Sequence, residues 1–141
     1  MGKVAVVYWS GSGHTAAMAK EIAAGAEAAG TEVSLFTATE FSPVEAEVFD
    51  KIAFGCSAMG AEELEETEFL PMFEAVEPSL SGKLVALFGS YGWGDGEWMK
   101  NWEARIRAQG TLFAEGLILN EAPDAEGLEK CRAFGCDFGG R

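Results

Sequence analysis

Five apolar runs punctuate the chain: KVAVVY (residues 3–8), EVSLF (32–36), KIAFGC (51–56), KLVALFGS (83–90) and TLFAEGLIL (111–119). Several are continuous rather than alternating, the pattern of strands covered on both faces. Between them the spacing becomes helical. Met18, Ile22 and Ala26 recur every fourth residue ahead of Gly30, which predicts a first helix stopping there. Trp98, Trp102 and Ile106 recur in the same way, which places both tryptophans in a core and leaves Glu97, Lys100, Glu103 and Arg107 to solvent. Leu64, Phe69, Leu70 and Phe73 predict a helix within 63–76 whose continuity Pro71 limits. Pro123 and Asp124 suit the start of a last helix, with Leu128, Cys131 and Phe134 as its stripe. The closing GCDFGGR reads as a frayed end, and residues 37–50 as a loop with one short helical turn.

Strands alternating with helices predict an α/β fold: an open, five-stranded parallel sheet with helices on both faces, a three-layer sandwich. Ligands of such sheets bind beyond the C-terminal strand ends, where the strand order reverses. Three loops there, 9–15, 57–63 and 89–97, are unusually rich in glycines, hydroxyls, stacking groups and acids.

With 141 residues, the chain is expected to be a single domain, 1–141, able to bury a core without metals or disulfides. No run approaches the roughly 20 apolar residues of a membrane span. The start, MGKVAVVYWSGSG, lacks the pattern of a secretory leader, so a cytoplasmic location is expected. Cys56, Cys131 and Cys136 form no metal-ligand or disulfide pattern and read as reduced thiols. A formal charge of −13 disfavours nucleic acid and anionic membrane. It suits a basic protein partner, although the same acidity also serves solubility alone.

The first loop, within YWSGSGHTAAMA (8–19), offers Ser10, Ser12 and Thr15 with Gly11 and Gly13 between them, then enters a helix. The glycines permit close backbone approach. The first helical amides lack internal acceptors, and together with the hydroxyls they form a nest for an anion such as a terminal monophosphate. Walker A is excluded by the missing lysine and by the loop's length. Gly11, Gly13 and Ala16 match a dinucleotide fingerprint, but SLFTAT at the second strand's end has no acid for a ribose diol.

In the second loop, CSAMGAEELEE (56–66), Met59 can lie against a ring face, and Gly60 can let its peptide turn either polar group toward a ligand. The acids at 62, 63, 65, 66 and 68 read as a solvated helix face. In the third loop, SYGWGDGEW (90–98), Gly92, Gly94 and Gly96 strip neighbours from Trp93 and make it the stacking platform; Asp95 can cap the following helix. His14 is the single histidine, and no Ser-His-Asp, Cys-His or metal constellation competes. The three loops thus suit a flat heterocycle with a monophosphate tail.

YWSGSGHTAAMA, CSAMGAEELE, LFGSYGWGDGEWM and NEAPD together resemble the short-chain flavodoxins, most closely the clostridial type. The resemblance implies a flavodoxin-like sheet of order 2-1-3-4-5 and one noncovalently bound FMN. It implies low-potential electron carriage between semiquinone and hydroquinone states, not enzymatic turnover. Ser10, Ser12 and Thr15 would hold the phosphate with the amides around Gly11, Gly13 and His14. Trp93 and Met59 would flank the ring, Gly60 would supply a flipping peptide, and Glu63 would accept from the ring N3–H. Trp9 would lie beside the phosphate and ribityl end. The remaining cofactor-binding candidates are Ser57, Ala58, Ser90, Tyr91, Gly92, Gly94 and Asp95. His14 stands where the family often has Asn and would make FMN affinity mildly pH-dependent. The expected partners of this monomer are basic or positively patched redox proteins, such as a flavodoxin reductase or a low-potential oxidoreductase. The rival reading is an FMN enzyme or a domain of a larger reductase.

Overall fold

Parallel strands β1 (Lys3–Trp9), β2 (Glu32–Thr37), β3 (Lys51–Cys56) and β4 (Leu84–Tyr91) build the centre of one sheet. Two short segments at its edge, β5 (Thr111–Leu112) and β6 (Leu117–Asn120), both pair with β4, giving the order β2-β1-β3-β4-β5. The computed structural model describes residues 3–9, 13–57, 65–91, 96–120 and 123–141. Among the described residues five α-helices accompany the strands: α1 (His14–Ala28), α2 (Pro43–Ala46), α3 (Phe69–Val76), α4 (Glu97–Arg107) and α5 (Ala125–Gly139).

The continuous apolar strands are covered on both faces, as their pattern requires; every residue of β3 is buried. On one face Ala5, Val7, Ile52 and Phe54 pack with Phe69, Phe73, Trp98, Trp102 and Ile106 of α3 and α4. Phe54, Phe69, Phe73 and Trp102 meet largely edge to face, with centroids 5.2–6.4 Å apart. On the other face Val4, Val6, Ala53 and Ala86 pack with Met18, Ile22 and Phe138 of α1 and α5. The expected stripes of α1 and α4 are therefore core stripes.

Three expectations need correction. The run 111–119 is not one strand. Leu84 pairs with Thr111 but Phe88 pairs with Leu117, so the edge takes six steps where β4 takes four. This bulge is held from α4, where Glu103, read from sequence as solvent-facing, is 9 % exposed and accepts from the Gly116 N–H at 2.6 Å. The end GCDFGGR is not frayed either: α5 runs to Gly139, and Phe138 is fully buried. Its glycines are packing residues. A Cβ on Gly135 would stand 2.0 Å from the Ile22 carbonyl oxygen of α1, and one on Gly25 would stand 2.0 Å from that of Arg132. The buried Lys51 ammonium donates to the Gly139 carbonyl at 2.9 Å and so completes the C-terminal end of α5. The third helix, Phe69–Val76, falls within the expected 63–76 and carries Pro71 in its first turn, where a missing N–H breaks no helical bond.

Candidate functional site

The chain leaves β1 for β2 on one side and reaches β3 on the other, so the strand order reverses between β1 and β3. Trp9 and Cys56 are register partners at that point, at the C-terminal ends where an α/β sheet binds its ligands. After Trp9 the described chain resumes at Gly13, whose φ of +93° is left-handed and whose Cβ position opens on empty space. Gly13 is the N-cap of α1 and contributes no side-chain cap, so the amides of the first turn face outward with the helix dipole behind them.

His14 opens α1 and is half-buried, whereas Thr15 is fully buried. The Thr15 hydroxyl oxygen lies 2.7 Å from that of Ser57 and 3.1 Å from that of Ser90, and it accepts the Ser90 N–H at 3.3 Å. Ser57 and Ser90 stand 3.4 Å apart. Residues 42 and 75 positions away from Thr15 thus converge on it, joining the first turn of α1 to the ends of β3 and β4 through hydroxyls. No lysine or arginine occurs between Trp9 and Ala19. Hydroxyls and helical amides can donate to several oxygens of one anion, which is the chemistry of a phosphate monoester seat. The residues present therefore fit the phosphate of FMN.

At the exit of β3, Cys56 is buried, and burial pushes its thiol up to about 12, with the nearby Glu65 charge adding and the Glu65 amide opposing. It is a structural thiol, inert near neutral pH. Glu65 overturns the reading of the acidic run as one solvated face, since it is 5 % exposed. One of its carboxylate oxygens accepts the Glu68 and Phe69 N–H groups at 2.7 and 2.8 Å. The other accepts the Thr67 N–H at 2.8 Å and the Thr67 hydroxyl. The Glu65 N–H in turn reaches the Cys56 sulfur at 3.4 Å, tying the start of α3 to the end of β3. Burial disfavours its charge, but these donors outweigh burial and hold the carboxyl down at about 2. Sequence reasoning missed this cap. The available signal was an acid placed four residues before Phe69, with Pro71 marking a first helical turn.

Trp9 is half-buried, and its indole N–H donates to the exposed Glu68 at 2.9 Å. Tyr91 packs on the α3/α4 core, its ring 5.8 Å from Trp98, and its carbonyl accepts from Asn120 at 3.3 Å. Glu40, the acid nearest the end of β2, accepts the Thr37 N–H at 2.9 Å, so it is engaged as a local cap rather than offered to a ribose. Of the sequence-derived site residues, the structure brings together Trp9, Gly13, His14, Thr15, Ser57, Ser90 and Tyr91 at the C-terminal ends of β1, β3 and β4. Ser10, Gly11, Ser12, Ala58, Met59, Gly60, Glu63, Gly92, Trp93, Gly94 and Asp95 lie outside the described residues. Among the described residues no helix is long and apolar enough to cross a membrane.

A doubly wound parallel sheet with an anion nest at its switch point defines the class: an α/β protein that binds a phosphorylated ligand at its strand ends. The flavodoxin family profile matches residues 6–135. A flavodoxin of Megasphaera elsdenii is 44 % identical over 132 residues, covering 94 % of this chain and 95 % of that one. One of Clostridium beijerinckii is 45 % identical over 131 residues, covering 92 % and 94 %. The solution structure of two-electron reduced Megasphaera elsdenii flavodoxin superimposes with a TM-score of 0.90 at 42 % identity, covering 98 % of this chain and 99 % of that one. The chain belongs to the flavodoxin family. Flavodoxins are noncatalytic carriers that move single electrons on bound FMN between redox partners.

Proposed function

We propose that the chain works as one FMN-binding domain, 1–141, carrying electrons at low potential to basic redox proteins. The observation that carries this reading is the convergence of Thr15 of α1, Ser57 at the exit of β3 and Ser90 near the end of β4 beside the N-terminus of α1. FMN, when bound, supplies the one-electron redox chemistry. Ser10, Ser12 and Thr15 would hold its phosphate with the neighbouring amides; Met59 and Trp93 would flank the ring, and Glu63 would accept from it. Gly60 would lower the backbone cost of turning its peptide toward the ring.

The surface sets the potential. With 23 acidic and 10 basic residues, the chain opposes any added negative charge in the site. At an effective dielectric of about 20, one unit charge about 8 Å away contributes on the order of 2 kcal/mol before screening. Since about 1.4 kcal/mol corresponds to roughly 60 mV for one electron, a few such acids lower the second reduction step appreciably. The same charge draws in a positively patched partner.

Fluorescence titration of the apoprotein with FMN tests the binding half of the proposal, with one FMN per chain expected. Incubation of the loaded protein with NAD(P)H tests the carrier half: oxidation should require an added reductase. Steady NAD(P)H oxidation by the protein alone would replace the carrier reading with an enzyme.

A further inference from the structure

Ser90 stands behind the phosphate nest and is 3 % exposed. Its N–H donates to the Thr15 hydroxyl oxygen at 3.3 Å, and its hydroxyl oxygen lies 3.1 Å from the same atom, within reach to donate there as well. A hydroxyl oxygen has two acceptor positions and one proton. When Ser90 fills both acceptor positions, Thr15 can only donate. Its proton then points to Ser57, 2.7 Å away. Ser57 accepts within the triangle and keeps its own proton for the ligand. Each hydroxyl that accepts a hydrogen bond also becomes a better donor.

We propose that Ser90 is a positioning residue that, acting through Thr15, turns the Ser57 proton toward the phosphate and so makes the site discriminate FMN from the same flavin without phosphate. This rests on the FMN reading of the site. Without the Ser90 hydroxyl, Thr15 regains a free acceptor position, Ser57 can turn its proton inward, and the anion loses a donor. A phosphate is acceptor-only and registers that reversal directly; the dephosphorylated flavin does not.

The test is equilibrium binding of FMN and of riboflavin to the wild-type apoprotein and to Ser90→Ala and Ser90→Cys, each checked for folding by circular dichroism. The ratio of FMN to riboflavin affinity should fall on the order of fivefold in Ser90→Ala, the weight of one redirected hydrogen bond. Ser90→Cys, a weak donor, should fall between the two. If Ser90→Ala does not fold, the cysteine variant alone must show the lowered ratio. A wild-type ratio in the folded variants would overturn the Ser90 assignment while leaving the FMN site standing. Failure of the wild-type chain to bind FMN would instead overturn the functional reading beneath it.

Discussion

Glu65 is expected to be the most consequential acid in the fold, and its removal offers a quantitative test. Its carboxylate accepts three backbone amides and one hydroxyl at the start of α3, beside the β3 exit that carries Ser57. A carboxyl lowered from 4.5 to about 2 corresponds to about 3 kcal/mol at about 1.4 kcal/mol per pH unit. Single helix-terminal caps and charged hydrogen bonds contribute less than such a conversion, so a stabilisation on the order of 2 kcal/mol is expected. Because the folded-state value is depressed, the stabilisation is complete above the unfolded value of 4.5 and is lost as pH falls toward about 2. Glu65→Gln keeps the shape but turns an NH2 group toward donors. Urea unfolding of the apoprotein at pH 7 should show it roughly 2 kcal/mol less stable than wild type. At pH 3 more than half of that difference should be gone, because wild type has by then lost most of the charge contribution. Equal stability at pH 7, or a difference that persists undiminished into acid, would refute the assignment of Glu65 as a charged cap.

Gly135→Ala would force a methyl against the Ile22 carbonyl oxygen, 2.0 Å away. Separating α1 from α5 should cost about 2 kcal/mol or more in urea unfolding, despite alanine's better helix propensity. Glu103→Ala removes the acceptor of the Gly116 amide and should cost about 1–2 kcal/mol in the same assay; unchanged stability would show the edge bulge to be held by other contacts. Electron transfer to a basic redox protein, followed by stopped flow, should slow as the Debye length shrinks from about 30 Å at 0.01 M salt to about 10 Å at 0.1 M. A salt-independent rate would remove the electrostatic partner reading.

What was legible in the sequence followed physical periodicity. The buried strands and the stripes of α1 and α4 were readable because each residue's environment is set by its own spacing, as Met18, Ile22 and Trp102 show. The errors arose where a distant partner reverses a local preference. Gly135 and Gly139 look like helix breakers until α1 lies against them. Glu103 looks like a surface acid until the Gly116 amide is brought to it; Glu65 differs, because its partners at 67–69 are local and the cap was hidden only by the run of acids around it. In the site, composition announced the hydroxyls of the first loop, but no local pattern could place Thr15 within hydrogen-bonding distance of Ser57 and Ser90. That contact exists only because the sheet order sets β1, β3 and β4 side by side.

The most direct test of the central claim is an anaerobic potentiometric titration of the chain reconstituted with FMN, followed by absorbance. The account predicts one flavin per chain, reduced in two resolved one-electron steps, the second well below that of free FMN. A single two-electron step at the potential of free FMN would contradict it.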